Sequence, residues 1–282
     1  MGSSDWALTQ RARLSGGTVA WDRLGDGPPV VLVHGTPSWS YIWRGVAPKL
    51  AERFSVHLFD LLGYGDSERR DGQDVSIAAQ SRYLVELLDL WGIDSPAVVG
   101  HDIGGAVVLR AHLCEERPVA HMSLVDAVVF NPWNTPTTMH IREHLDAYTT
   151  MPGHIYEQVV RAHLRSAVAR DPQPETIDAY LRPWLGPDGQ RAYFRKLEQI
   201  DERQTAELEP RLGAIRIPVQ VIWGERDTWL SPRLATRLAA AIPDSSLHLV
   251  ADAGHFAMDD APDAVAELLA HGLGQHLVSP RT

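Results

Sequence analysis

Val98-Val99-Gly100-His101-Asp102-Ile103-Gly104-Gly105 is the stretch on which the reading of this 282-residue chain turns. A short apolar run enters it, glycines flank its centre and a helical pattern leaves it, so it reads as a buried strand, a sharp turn and a helix start. One carboxylate stands at the apex. The spacing Gly-x-Asp-x-Gly allows a strained turn that pushes the central side chain out over the end of a sheet. Asp102 is read as a nucleophile presented there.

The flanking sequence builds the sheet around that apex. Val30-Val31-Leu32-Val33-His34 and Ser55-Val56-His57-Leu58-Phe59-Asp60 are short continuous apolar runs of the kind that form strands buried on both faces. Leu24-Gly25-Asp26-Gly27-Pro28-Pro29 reads as the turn closing an N-terminal hairpin. From Ser76 to Trp91 apolar residues recur at helical spacing, and Gly92 stops the pattern. A helix from Gly104 to Glu116 and a strand Met122-Ser123-Leu124-Val125-Asp126 follow. After a gap, strands at Val219–Trp223 and Leu247–Val250 alternate with helices over Pro232–Ala241 and Pro262–Gly272. Strand and helix alternating in this way predict an α/β fold, a mostly parallel sheet flanked by helices, with ligands meeting the carboxyl ends of the strands.

Between residues 129 and 212 the rhythm changes to helix-like segments rich in Arg, His, Tyr and Trp and interrupted by prolines. The expected organisation is a core of residues 1–128 and 213–282 carrying an inserted helical lid of residues 129–212. Hydrophobic residues at 44% and charged residues at 22% describe an ordinary globular composition, and no apolar run is long enough to span a membrane. A net charge of −10 argues against a nucleic-acid partner. Met1-Gly2-Ser3-Ser4-Asp5-Trp6 lacks the basic-then-apolar order of a secretion signal, so a cytoplasmic location is the expectation. The single cysteine, Cys114, is expected to be a buried helix residue.

Three groups fall just after strand ends, in the order Asp102, Asp227, His255. Taken singly, each would read as a cap, a turn residue or packing. Jointly, they occupy the places where a nucleophile, an acid and a base are needed. Asp126, also after a strand, is an alternative acid, and Glu225 reads as a solvated neighbour.

On these residues the chain resembles the α/β-hydrolase superfamily and, within it, the aspartate-nucleophile branch of epoxide hydrolases and haloalkane dehalogenases. The resemblance rests on His34-Gly35-Thr36-Pro37, on Asp60-Leu61-Leu62-Gly63-Tyr64-Gly65-Asp66-Ser67, on the Asp102 apex, on Trp223-Gly224-Glu225-Arg226-Asp227 and on Gly254-His255. It implies an alkyl-enzyme ester on Asp102, hydrolysed by water that His255 activates with the support of Asp227, and an oxyanion hole from the backbone N–H groups of Thr36 and Ile103. It implies no cofactor and no metal. A small hydrophobic organic substrate is expected, no nucleic acid or membrane, and a homodimer is compatible with the reading.

The resemblance leaves the leaving group open between two chemistries. Dehalogenase-like relatives hold halide with a Trp directly after the nucleophile, and here that position is Ile103, while Thr36 replaces an Asn. Yet His34 to Arg44, with Trp39 as a pocket candidate, is dehalogenase-like as a string. Epoxide hydrolases use lid tyrosines to donate to the ring oxygen; Tyr148 or Tyr156 is a candidate for the first and Tyr193 for the second, with Trp184 and His154 as further lid residues of the pocket. Epoxide opening to a diol is therefore placed ahead of haloalkane hydrolysis. A non-hydrolytic cyclase, lyase or binding protein on the same fold is the alternative outside this chemistry. His140-Ile141-Arg142-Glu143-His144 matches a zinc pattern, but the sequence offers no third ligand.

Overall fold

The apolar runs become strands. The protein is described by a computed structural model over residues 6–277, so the opening stretch 1–5 read for a leader lies outside the described residues. Among them, eight strands form one sheet: β1 (Gln10–Leu14), β2 (Gly17–Leu24), β3 (Pro29–Val33), β4 (Ser55–Phe59), β5 (Ala97–His101), β6 (His121–Val125), β7 (Val219–Gly224) and β8 (Ser245–Val250). Their order is β1-β2-β4-β3-β5-β6-β7-β8. β1–β2 and β2–β4 are antiparallel, and every later pair is parallel. The strands β4 to β7 are buried along their whole length, as continuous apolar runs require. One expectation is corrected: the hairpin closes through Ser15 and Gly16, whereas the turn after Leu24 carries the chain past β4 to β3.

Helices cover the sheet. After α1 (Ala47–Leu50) comes α2 (Ile77–Trp91), whose cap Ser76 accepts the Ala79 N–H and whose last turn ends on Gly92 at φ 66°. Next, α3 (Ile103–Leu113) starts directly at the apex and is buried through Ala111. It ends earlier than expected. Cys114 is its C-cap and only partly buried, a further correction. The core side is completed by α10 (Arg233–Ala241), α11 (Ala257–Asp260) and α12 (Pro262–Leu277).

Between β6 and β7 lie α4 (Pro136–Glu143), α5 (Leu145–Thr149), α6 (Gly153–Arg165), α7 (Pro174–Leu181), α8 (Gly186–Glu198) and α9 (Arg203–Ala206). The prolines of this segment start helices as well as interrupting them: Pro136, Pro174 and Pro187 stand in the first turns of α4, α7 and α8. Buried polar contacts tie this segment to the core. Trp184 Nε1 donates to the Pro37 carbonyl at 2.9 Å, and Tyr180 donates to Asp259, itself paired with Arg44 at 2.5 Å.

Close approach explains the glycines at the apex. A Cβ on Gly104 would overlap the carbonyls of Val33 and His34, and one on Gly100 would overlap the Gly104 carbonyl. The first turn of α3 therefore lies against the end of β3, which fixes where Asp102 stands. A Gly104→Ala substitution should lower stability by about 1–3 kcal/mol through overpacking. Urea unfolding measures this, and an unchanged midpoint would show that the helix start has slack.

Candidate active site

Six parallel strands end on one edge, and the loops after four of them supply the titratable groups. Asp102, between β5 and α3, has φ 54° and ψ −124°, a strained conformation for a residue with a Cβ. Its N–H donates to the Val125 carbonyl at 3.2 Å, and its carbonyl accepts from Val128 at 2.9 Å and Gly105 at 3.0 Å. The backbone is thus held from both sides.

The two carboxylate oxygens of Asp102 have different neighbours. Oδ1 accepts the Thr36 N–H at 2.7 Å, and the Ile103 N–H also bonds the carboxylate. Oδ2 faces His255 Nε2 at 3.4 Å. Burial would raise the Asp102 pKa, but the His255 contact and charge, with His101 and the Ile103 N–H, bring it below the usual 3.8.

His255 stands between two acids. Its Nδ1 lies 2.9 Å from Asp227 Oδ2, while Asp227 Oδ1 accepts the Trp229 and Leu230 N–H groups at 2.8 and 2.9 Å. Burial opposes charge on the imidazole, yet Asp227 and Asp102 hold its pKa well above 6.5. Asp126 sits behind them. It accepts the Gly224 N–H at 2.8 Å, and its carboxyl faces Asp227. Burial and the charge of Asp227 push its pKa well above 3.8, favouring a protonated carboxyl. Ligand atoms of Asp126, Asp227 and His255 lie within 4.8 Å of one another, but Asp227 is already bonded to His255 and two amides.

Above Asp102 is a cavity of about 50 Å³ whose walls include Thr36, Trp133, His163, Tyr193 and Lys196. A side lobe of about 20 Å³ continues past Thr36 and Lys196 to Tyr64 and Ile103. His163 stacks on Trp229 at 4.3 Å, and Trp229 stacks on His255 at 4.9 Å. Burial, then the nearby Lys196 charge, lower His163 to about 4, so this ring is neutral.

The structure brings Asp102, Thr36, Ile103, Asp227, His255 and Tyr193 together. It does not bring the remaining candidates to the cavity. The Tyr156 hydroxyl is committed to the Trp184 carbonyl at 3.1 Å, and Tyr148 packs against His140 and Phe194. Trp39 is buried with its N–H on the Ala179 carbonyl, and Trp184 spends its N–H on Pro37. His154 is exposed in the first turn of α6; the inward face of that helix carries Tyr156, Val160 and His163 instead. Glu225 is exposed, and His140 and His144 form an exposed ring pair outside the only cluster with metal-ligand spacing among the described residues.

Sequence reasoning missed Lys196, His163 and Trp229. A weak signal existed for the first. Lys196 follows Tyr193 by one helical turn, but next to Arg195 it looks like half of a solvated basic pair. Arg195 does reach out to Asp71, whereas Lys196 turns inward.

A sequence model described as alpha/beta hydrolase fold matches residues 28–262. An alpha/beta hydrolase fold protein from Burkholderia ambifaria is similar in structure, with a TM-score of 0.91 and 39% identity over 94% of this chain and 97% of that one. Haloalkane dehalogenase 2 of Mycobacterium tuberculosis is 27% identical over 92% of this chain and 93% of its own length. The epoxide hydrolase CorEH, at 22% identity and a TM-score of 0.74 over 94% of this chain and 98% of its own, shares the fold.

The His255 shift has a testable sign. Its folded pKa is raised, so the folded protein keeps a proton that the unfolded chain loses near pH 6.5, and stability should fall as pH rises from there through the folded value. Asp227→Asn should flatten that decline. Urea midpoints from about pH 6 to about pH 9 measure it, and equal slopes in both proteins would show that Asp227 does not hold the charge.

Proposed function

The chain belongs to the alpha/beta hydrolase fold family, related to haloalkane dehalogenases and epoxide hydrolases, and we propose that it is a hydrolase working through an alkyl ester on Asp102. One observation carries the reading: His255 lies 2.9 Å from Asp227 and 3.4 Å from Asp102. A base held by one carboxylate beside a second carboxylate has the geometry to break an ester on that second group.

In the proposed reaction Asp102 Oδ2 attacks an sp³ carbon and the leaving group departs with its electron pair. Oδ1 stays against the Thr36 N–H, and the Ile103 N–H also bonds the carboxylate. Water then adds to the ester carbon while His255 Nε2 takes one of its protons, and the oxyanion develops on Oδ1 beside the Thr36 N–H. Collapse expels the alcohol, which takes back the proton from His255, and the carboxyl group left on Asp102 loses its own proton to restore the carboxylate. The acid of the triad is Asp227, since Asp126 has no direct bond to His255. Each bond-forming electron pair comes from Asp102 or water, so the sequence is written without a cofactor.

The substrate reading is a small epoxide opened to a diol. A cavity of about 50 Å³ suits a small substrate, and the Tyr193 ring lies on its wall, although the second tyrosine of the expected pair is absent from it. Haloalkane hydrolysis is the second reading, favoured by the similarity to haloalkane dehalogenase 2 over nearly the whole chain. The cyclase or binder alternative leaves the pairing of His255 with both acids without a use.

A single turnover in ¹⁸O-water tests the covalent route. Product of the first turnover should carry unlabelled oxygen from Asp102, with ¹⁸O appearing in the Asp102 peptide. Label in that first product would overturn the ester. Asp102→Ala should lower turnover by about 10⁴-fold or more, as expected when a nucleophile acting with its partners is removed.

A further inference from the structure

Lys196, in the last turns of α8, is the charged residue of the cavity to which the proposed reaction gives no task. Its side chain is 6% exposed, and among the described residues its Nζ has no hydrogen-bond partner. Nζ sits instead among ring faces, 3.8 Å from the centroid of Tyr193, 4.3 Å from Trp184 and 5.7 Å from Tyr64. Such faces attract an ammonium but accept none of its three N–H bonds in the ordinary sense. Burying a cation in this state is costly unless an acceptor arrives. Lys196 lines both the main chamber beside Asp102 and the side lobe, so an acceptor in the cavity lies within its reach.

The leaving oxygen of an epoxide is such an acceptor. The resemblance assigned its activation to two lid tyrosines, of which Tyr156 and Tyr148 are engaged elsewhere. We propose that Lys196 is the proton donor to the epoxide oxygen, its ammonium bonding that oxygen and transferring a proton as Asp102 opens the ring. This rests on the alkyl-ester reading and names the group that completes its first half.

The step balances. A lone pair on Asp102 Oδ2 forms the new C–O bond, the ring C–O bond breaks onto oxygen, and that oxygen takes a proton from Nζ, leaving a neutral amine. In the second half His255 takes a proton from water and returns it to the released alcohol oxygen. Asp102 is left as a carboxylic acid whose proton passes to Lys196 directly or through solvent. The net change is addition of water.

The charges around Lys196 suit this role. Burial lowers its pKa well below 10.5, which makes it a stronger acid, while the Asp102 carboxylate favours the charged form. His34 and His163, both affected by the Lys196 charge, are lowered to about 4 chiefly by burial and so add no competing cation. Burial pushes Tyr193 and Tyr64 well above 10, so both stay neutral.

The test uses a His255→Gln background, where an ester formed on Asp102 should persist, and two probes of similar carbon skeleton, 1,2-epoxybutane and 1-bromobutane. Mass spectrometry of the Asp102 peptide follows ester formation over time. Lys196→Met should slow ester formation from the epoxide by about 100-fold or more, the usual scale of general acid catalysis, and slow the bromide reaction much less, because bromide leaves without a proton. Lys196→Gln, which keeps a polar side chain of similar reach, should show the same split and guards against a folding defect in the first variant. An unchanged epoxide rate, or equal slowing of both probes in the two variants, would overturn the proton-donor role. No ester from either probe in His255→Gln alone would overturn the alkyl-ester reading itself.

Discussion

An imidazole buried between two carboxylates organises this molecule. His255, Asp227 and Asp102 are all nearly inaccessible to water, and each charge is tolerated only because a strand end or an adjacent turn supplies donors. Asp227 is bonded by two amides of its own turn, and Asp102 by Thr36 from the loop after β3. Removing one member of such a set leaves an uncompensated charge, a loss of about 3–5 kcal/mol in comparable buried pairs. The parallel register of β3, β5, β6 and β7 is what brings these donors and acceptors to one edge.

That edge was largely legible in the sequence because its requirements are local. A strained apex needs small neighbours, and Gly100 and Gly104 are required by backbone atoms that approach within overlap distance. Buried strands need continuous apolar runs, and β4 to β7 have them. Errors arose where the answer depends on non-local pairing. The turn after Leu24 looks like a hairpin closure, but β4 inserts between β2 and β3, and nothing within the turn specifies that.

The helical segment over the site was legible only as a segment. Tyr148, Tyr156 and Tyr193 are the same residue type on neighbouring helices, yet the nearest carbonyl claims the hydroxyl of Tyr156, and the ring of Tyr193 reaches the cavity. His154 and His163 share a helix and differ by a rotation that places one outside and one in the stack with Trp229. Lys196 shows the same limit from the other side. Its burial depends on three aromatic rings drawn from two helical elements and the loop after β4, a convergence that spacing along one helix does not reveal.

Asp102 also governs the charge state of the groups around it. Its carboxylate favours the charged forms of both His255 and Lys196. An ester on Asp102 removes that negative charge, so both neighbours become more ready to lose a proton at the same moment. For Lys196 this coincides with the moment at which the leaving oxygen needs one. For His255 it removes the charge that favours the imidazolium, so its proton can pass to solvent and leave a neutral base able to accept one from water. The two halves of the proposed reaction are thereby ordered by a single loss of charge, and restoring the carboxylate resets both groups without a conformational change.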